Sequence, residues 1–270
     1  LPIGNRPVLY EVHDMPTGRF GEKWAEIFVN ARHPKRLIFI TEALRKRFQA
    51  RFPALKDGES VIAPNGINLR DYDGLPDVND AKRRMGFPTD RRVISCSGHL
   101  YAGRGVPLFL DLAAAFPNEA FYWFGGTPES VAEYRALAAE RKLMNVTFTG
   151  FIPKSGLPLA QAASDILLMP YETSIAGSSG GNSAAICSPM KMFEYMAAHR
   201  PILSSNLPVI REVLNDSSAV FCEPENVESW HGALSRLLND SAFETRMHHR
   251  YDRLLPEKFF VRRFHRPQNR

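Results

Sequence analysis

The sequence predicts an α/β protein: a doubly wound, Rossmann-like parallel sheet preceded by a partial second Rossmann-like domain. Three observations predict it. Short apolar runs alternate with helical patterns along nearly the whole chain, as in βαβ units. The runs are apolar on both sides, as in strands of a sheet covered on both faces. One polar stretch, "RDYDGLPDVNDAKRRMGFPTD" at 70–90, interrupts this rhythm with two prolines and marks a domain boundary.

Taken in order, "RPVLYEVHD" reads as a strand ending in polar residues and "GEKWAEIFVNARH" as a helix. "RLIFITEALRKRFQARF" reads as a strand over Leu37 to Ile40, then a helix that Thr41 caps. "SVIAPNGINL" is a strand followed by an Asn65-Gly66 turn. Beyond the boundary, six strands follow: "RRVISCSGHL", "EAFYWFGG", "NVTFTGFI", "DILLMPYE", "PILSS" and "AVFCEP". Helical patterns separate them, and "NVESWHGALSRLLND" closes the series with Trp230, Leu234, Leu237 and Leu238 at one-face spacing. The expected domains are therefore 1–75 (partial, with the linker), 76–245, and a basic tail, 246–270.

Composition narrows the function classes. At 270 residues and 44% apolar content the chain can bury a sizeable core. No run approaches the roughly 18 apolar residues of a membrane span, and the first residues do not read as a signal peptide. The start at Leu1 rather than Met points to an origin inside a longer protein. Cys96, Cys187 and Cys222 are far apart with no CxxC pair, which suggests a reduced, cytoplasmic chain without disulfides or a zinc site. The net charge of +5 is concentrated in the tail, where eight Lys/Arg face Asp252 and Glu257. A second basic cluster runs from Arg32 to Arg51. Each cluster is either a solvated helix face or a surface for anionic lipid. No nucleic-acid-binding motif accompanies them.

The stretch "SPMKMFEYMAAHRPILSSNLPVIREVL" places Glu194 inside an apolar helical run. Ser188 is a good N-cap and Pro189 suits the first helical position. The first turn (Ser188, Pro189, Met190, Lys191) offers free N–H groups, from every residue but the proline, that make a ready anion site, and Lys191 adds charge. Glu194, three residues on, either accepts from a ribose diol or merely pairs with Lys191 or faces water. Just upstream, "TSIAGSSGGNSAA" is either a flexible lid or a disordered loop. Asp71 and Asp73 form a lone DxD in the linker and are expected to be solvated.

This segment resembles the donor site of retaining glycosyltransferases of family 4, which have the two-domain GT-B fold. The resemblance runs over about 210 residues in the family's order: "VLYEVHDMP", "FITEALRKRF", "VIAPNGINL", "GHLYAGRGVPLFLDL" and "VTFTGFIPKSGLPLAQAASDILLMPYE" precede the Glu194 segment. The last is in the family's "SPxKxFEYMA" form. The resemblance implies that Glu194 holds the donor ribose and Arg104 the diphosphate. His99 replaces a usual Arg, and Gly98 and Gly103 let the backbone approach the ligand. Gly150 and Phe151 match the turn that reads the nucleobase. His13 would face the donor sugar, with Asp14 either orienting it or capping the next segment. Lys154 is a weaker phosphate candidate. At the family's sugar-contacting Glu stands Ile186.

The implied activity is transfer of a sugar from a UDP-sugar or GDP-sugar to a saccharide or lipid-linked acceptor, with retention, no metal and no other cofactor. His13, Arg104 and Glu194 are the expected catalytic residues. The implied location is the cytoplasm, at the inner face of an anionic membrane. Two other readings stand beside it: a non-catalytic nucleotide-sugar-binding module that needs a partner, and a nucleotide-sugar epimerase of the same fold. The short first domain is expected to leave a sheet edge open and to promote homodimer formation.

Overall fold

The computed structural model describes residues 6–175 and 182–240. The basic tail, 246–270, therefore lies outside the described residues, as does most of the glycine-serine stretch. The elements in chain order are β1 (Val8–Val12), α1 (Gly21–Asn30), β2 (Lys35–Phe39), α2 (Glu42–Arg51), β3 (Ser60–Ile62), α3 (Val78–Met85), β4 (Val93–Ser97), α4 (Val106–Ala115), β5 (Ala120–Phe124), α5 (Pro128–Glu140), β6 (Val146–Gly150), α6 (Leu157–Ala162), β7 (Ile166–Met169), α7 (Met190–Ala197), β8 (Ile202–Ser205), α8 (Pro208–Arg211), β9 (Val220–Cys222) and α9 (Val227–Asn239).

Two parallel sheets result. The first runs β1-β2-β3 and the second β6-β5-β4-β7-β8-β9. In the second, the chain leaves β4 to build one side and returns to β7 to build the other. The crevice at the carboxyl ends of β4 and β7 is thus the place where such sheets bind ligands. β7 shows why its run is continuously apolar. Ile166 and Leu168 join the core under α4 and α9. Leu167 and Met169 join the opposite core, with Met192, Tyr195 and Met196 of α7. Alternate residues thus serve opposite faces, and both faces are covered.

The expected cap forms at α2, where Thr41 Oγ1 accepts from the Leu44 N–H. Two expectations need correction. The polar stretch is not all linker, because α3 lies within it. Asp77 caps that helix and Gly86 ends it at φ 68°. Ala81 and the stem of Lys82 are buried and Met85 packs against the same small cluster, a stripe too short and too interrupted by charge to stand out in the sequence. The second correction concerns α7. It begins at Met190, with Pro189 at the N-cap and no side-chain cap. Ser188 is turned instead toward Asn65, whose N–H donates to its Oγ (3.2 Å) and whose Nδ2 donates to its carbonyl (2.7 Å).

Asn65 supplies one of several contacts among the described residues that join the two halves. Thr41 Oγ1 donates to the Ile186 carbonyl at 2.9 Å, while the Ile186 side chain is buried in the core of the first sheet with Phe39 and Phe48. The Glu212 carboxylate accepts from the Glu42 and Ala43 N–H groups at 2.7 and 2.9 Å. It thereby satisfies orphan donors of the first turn of α2. The first sheet also leaves Leu9, Tyr10, Trp24 and Ile27 exposed.

α3 is anchored to the second sheet by a buried ion pair. Lys82 Nζ lies 2.6 Å from Asp165 Oδ2, and both side chains are almost fully buried. Asp165 also receives Arg92 Nη1 (3.0 Å) and the Val93 N–H (2.7 Å). Removing one partner of such a pair strands a buried charge. Lys82→Met should cost about 3 kcal/mol, the lower end of that effect because Arg92 remains. Urea unfolding of parent and variant checks this, and an unchanged midpoint would mean that the pair adds nothing.

Candidate functional site

The crevice at the carboxyl ends of β4 and β7 is organised around Tyr171, two residues beyond the end of β7. Tyr171 is 2% exposed. Lys191, in the first turn of α7, places Nζ 4.6 Å from its ring centroid, and the Arg104 guanidinium lies 5.3 Å from the same centroid. Arg104 Nη1 donates to the Tyr171 hydroxyl at 3.2 Å, while its buried Nε has no hydrogen-bond partner among the described residues. Lys191 is buried, and among the described residues its hydrogen-bond partner is Cys96 Sγ at 3.5 Å. Burial pushes the Cys96 thiol up despite Lys191 beside it, so it offers no negative charge at neutral pH.

Two cations therefore share one aromatic ring, and no carboxylate pairs with either among the described residues. Removing charge from water without a counter-charge is costly. Such an arrangement suits an anion that arrives from solution. Gly98, at φ 132°, turns the chain at the end of β4, and a Cβ there would lie 3.6 Å from Lys191 Nζ. Its lack of a side chain keeps space open beside the ammonium.

Glu194 follows one turn along α7. It is half-buried, and Oε2 accepts from Gln161 Nε2 at 3.2 Å. Burial raises its carboxyl above the usual value, while the Gln161 hydrogen bond and Lys191 pull it back. It neither pairs with Lys191 nor lies fully open to water. Gln161 Oε1 in turn accepts from the Tyr72 hydroxyl at 2.9 Å. Gln161, Tyr72 and Tyr171 were not singled out by sequence. Only the position of Tyr171, just beyond a strand's carboxyl end, was a usable signal.

The other expected residues are placed as follows. Gly103 does not open space for a ligand. A Cβ there would lie 2.2 Å from the Ser174 carbonyl oxygen, so it makes room for the neighbouring chain. Gly150, at φ 76°, accepts from the Gly125 N–H with its carbonyl and ends β6, and Phe151 beyond it is exposed. His99 is exposed and stacks on Tyr101. Met190 is 43% exposed at the start of α7, and Pro189 and Ser188 are buried. His13 is exposed at the end of β1, where its side-chain partner is Glu11 at 3.4 Å. Asp14 does not orient His13; it accepts from the Met15 N–H and so caps the local turn. Lys154 pairs loosely with Asp71. Among the described residues, no group of three or more His, Cys, Asp and Glu is set to hold a metal.

Much of the basic cluster at 32–51 is already paired. Lys35 meets Glu59, Arg45 and Lys46 meet Glu42, and Arg51 meets Glu22. Arg32, Arg36 and Arg47 stay exposed. Among the described residues, no helix is long and apolar enough to cross a membrane.

The raised Glu194 carboxyl has a consequence for stability. A carboxyl held higher in the folded than in the unfolded state penalises folding above its folded pKa and does not below its unfolded one. Glu194→Gln should thus melt higher than the parent at neutral pH. The gain should fade as pH falls through the raised folded value and be gone once pH is below the ordinary carboxylate value. Thermal melts across that range check the sign; a gain independent of pH would mean that packing rather than charge is responsible.

Comparison with known proteins converges on one family. The pattern that describes "Glycosyl transferases group 1" matches residues 91–240. A processive diacylglycerol alpha-glucosyltransferase of Acholeplasma laidlawii is 22% identical over 170 residues, which is 62% of this chain and 48% of that protein. An alpha-galactosylglucosyldiacylglycerol synthase of Streptococcus pneumoniae is 22% identical over 158 residues, 56% of this chain and 39% of the other. This chain thus spans half or less of these relatives' length. Anabaena HepE in complex with UDP and glucose superposes with a TM-score of 0.72 at 16% identity, over 94% of this chain and 68% of that one. The C-terminal domain of a group 1 glycosyl transferase, LpcC of Francisella tularensis, superposes over 73% of this chain and 100% of its own, with a TM-score of 0.58 at 17% identity. The fold is GT-B-like, and the chain belongs to the glycosyl transferases group 1 family.

Proposed function

We propose that this chain moves a hexosyl group from a UDP-sugar or GDP-sugar to an acceptor hydroxyl, with retention and without a metal or other cofactor. The observation that carries the reading is the pair of cations, Arg104 and Lys191, on Tyr171 with no carboxylate of their own. A nucleoside diphosphate supplies the missing charge. Its phosphates would lie against Arg104, Lys191 and the first N–H groups of α7, and its ribose hydroxyls against Glu194. The nucleobase would lie toward Gly150 and Phe151. Arg104 presents a fork suited to phosphate oxygens.

In this reading the cations act on the leaving group. As the bond from the anomeric carbon to the diphosphate stretches, negative charge grows on the phosphate. Preorganised donors in a buried site stabilise that charge without reorganisation, as a metal ion would elsewhere. The leaving phosphate then assists the acceptor hydroxyl, which approaches from the same face, and the configuration is retained. His13 would face the sugar from the first sheet. Ile186 is turned into the core of that sheet, so contacts to the sugar hydroxyls come from other residues.

The acceptor is a saccharide or a lipid-linked hydroxyl, the latter in line with the names of the diacylglycerol-modifying relatives. A lipid-linked acceptor brings the chain to an anionic membrane surface. There Arg32, Arg36 and Arg47 are the cations of the basic cluster available for contact. A second reading, nucleotide-sugar binding without transfer, is favoured by Ile186, which cannot hydrogen-bond a sugar.

Incubation with labelled donor separates the readings, because a glycoside product supports transfer and bound but unchanged donor supports the module. Glu194→Ala should weaken UDP or GDP binding by roughly 1.5–3 kcal/mol, about 10- to 150-fold. Arg104→Ala should weaken the diphosphate far more than the nucleoside, measured by calorimetry. Equal losses would make Arg104 a structural residue. Binding should persist in excess EDTA, and manganese-restored binding after chelation would overturn the metal-free reading.

A further inference from the structure

Gln161 is 0% exposed, yet its side-chain amide is fully used. Its Oε1 accepts from the Tyr72 hydroxyl at 2.9 Å, and its Nε2 donates to Glu194 Oε2 at 3.2 Å and to Ser97 Oγ at 3.4 Å. Ser97 Oγ passes its own proton to the Tyr195 hydroxyl (3.1 Å), which donates to the Leu168 carbonyl (3.3 Å). Every hydroxyl and amide in this chain of bonds thus has a fixed direction of donation. Turning the Gln161 amide over would set its carbonyl oxygen against the Glu194 carboxylate and its NH2 toward the Tyr72 hydroxyl. The carboxylate at one end and the hydroxyl at the other therefore hold the amide in one orientation.

The effect on Glu194 is specific. One oxygen is occupied by Gln161, while Oε1 accepts no hydrogen bond from the described residues. A carboxylate on a helix can rotate about its terminal bond, but one pinned through Oε2 presents Oε1 in a set direction. A Leu or Met could fill the space of Gln161 without needing polar partners, so volume alone does not account for an amide there. Tyr72 adds a second element. It ends the short 3-10 turn Leu69–Tyr72, in the segment that connects the two sheets.

We infer that Gln161 is a positioning residue that aims the Glu194 carboxylate at the ribose diol of the donor, and that Tyr72 of the connecting segment sets the Gln161 amide. This inference rests on the donor-nucleotide reading above and is separable from it by experiment. Gln161 touches Glu194, not the ligand, so its removal should degrade recognition of the ribose hydroxyls and spare the phosphates.

The test titrates the 270-residue chain by calorimetry with UDP, 2′-deoxy-UDP, GDP and 2′-deoxy-GDP. The parent should prefer the ribo form of whichever nucleotide it binds. Gln161→Met should lose that preference about tenfold while its affinity for the deoxy form stays close to the parent's. Tyr72→Phe, which keeps the ring packed, should show a smaller loss of the same kind and guards against a folding defect in the first variant. Ribo and deoxy affinities that fall together would make Gln161 structural, and an unchanged preference in both variants would remove the positioning role. If Glu194→Ala kept the full preference, the ribose role of Glu194 would fail and this proposal with it. If Glu194→Ala lost the preference but Gln161→Met kept it, the positioning inference alone would be wrong.

Discussion

The structure around the crevice depends on a charge imbalance. Lys191 and Arg104 approach one tyrosine ring from different elements, and neither meets a carboxylate among the described residues. Like charges so close in a partly dehydrated place repel one another. The ring face and the Tyr171 hydroxyl relieve part of that cost. In the proposed reading, the remainder favours an anionic donor. Gly98 leaves room beside the ammonium, and the neutral Cys96 thiol keeps it from being quenched.

The same logic explains a carboxylate in an otherwise apolar helix. Glu194 is half-buried and forms no ion pair with Lys191, although the ammonium acts on it at a distance. Its ionised form is disfavoured by burial and supported by one amide. A group held in that condition contributes little to the empty protein and gains most when hydroxyl donors complete its shell. In the proposed reading Arg104 and Lys191 address the phosphates of the donor and Glu194 its ribose hydroxyls, about one helical turn away.

What was legible in the sequence follows the range of the signal. The six strands of the second sheet, the three of the first and the Thr41 cap all lie in local spacing, and they form where expected. α3 was hidden because its inward face, Ala81, the Lys82 stem and Met85, is short and broken by charge. Ser188 looked like a cap from local grammar, but Asn65, 123 residues away, claims its hydroxyl. Gly103 looked like a ligand glycine and is one forced by neighbouring chain. The Gln161 network could not be read at all, since Tyr72 and Gln161 lie 89 residues apart and Gln161 and Glu194 33. Family likeness located Glu194 and Arg104, but had no means of naming the groups that hold them.

The grip of the first sheet on residues 186 and 188 has a mechanical consequence. Thr41 and the Phe39–Phe48 core hold Ile186, while Asn65 holds Ser188. Lys191 follows three residues later. The anchored stretch is therefore shorter than a single helical turn's worth of slack. A substitution at Thr41 or Asn65 therefore bears on the start of α7 without touching it. The place where α7 begins is thus decided by side chains of both halves, although the residues it carries belong to the second.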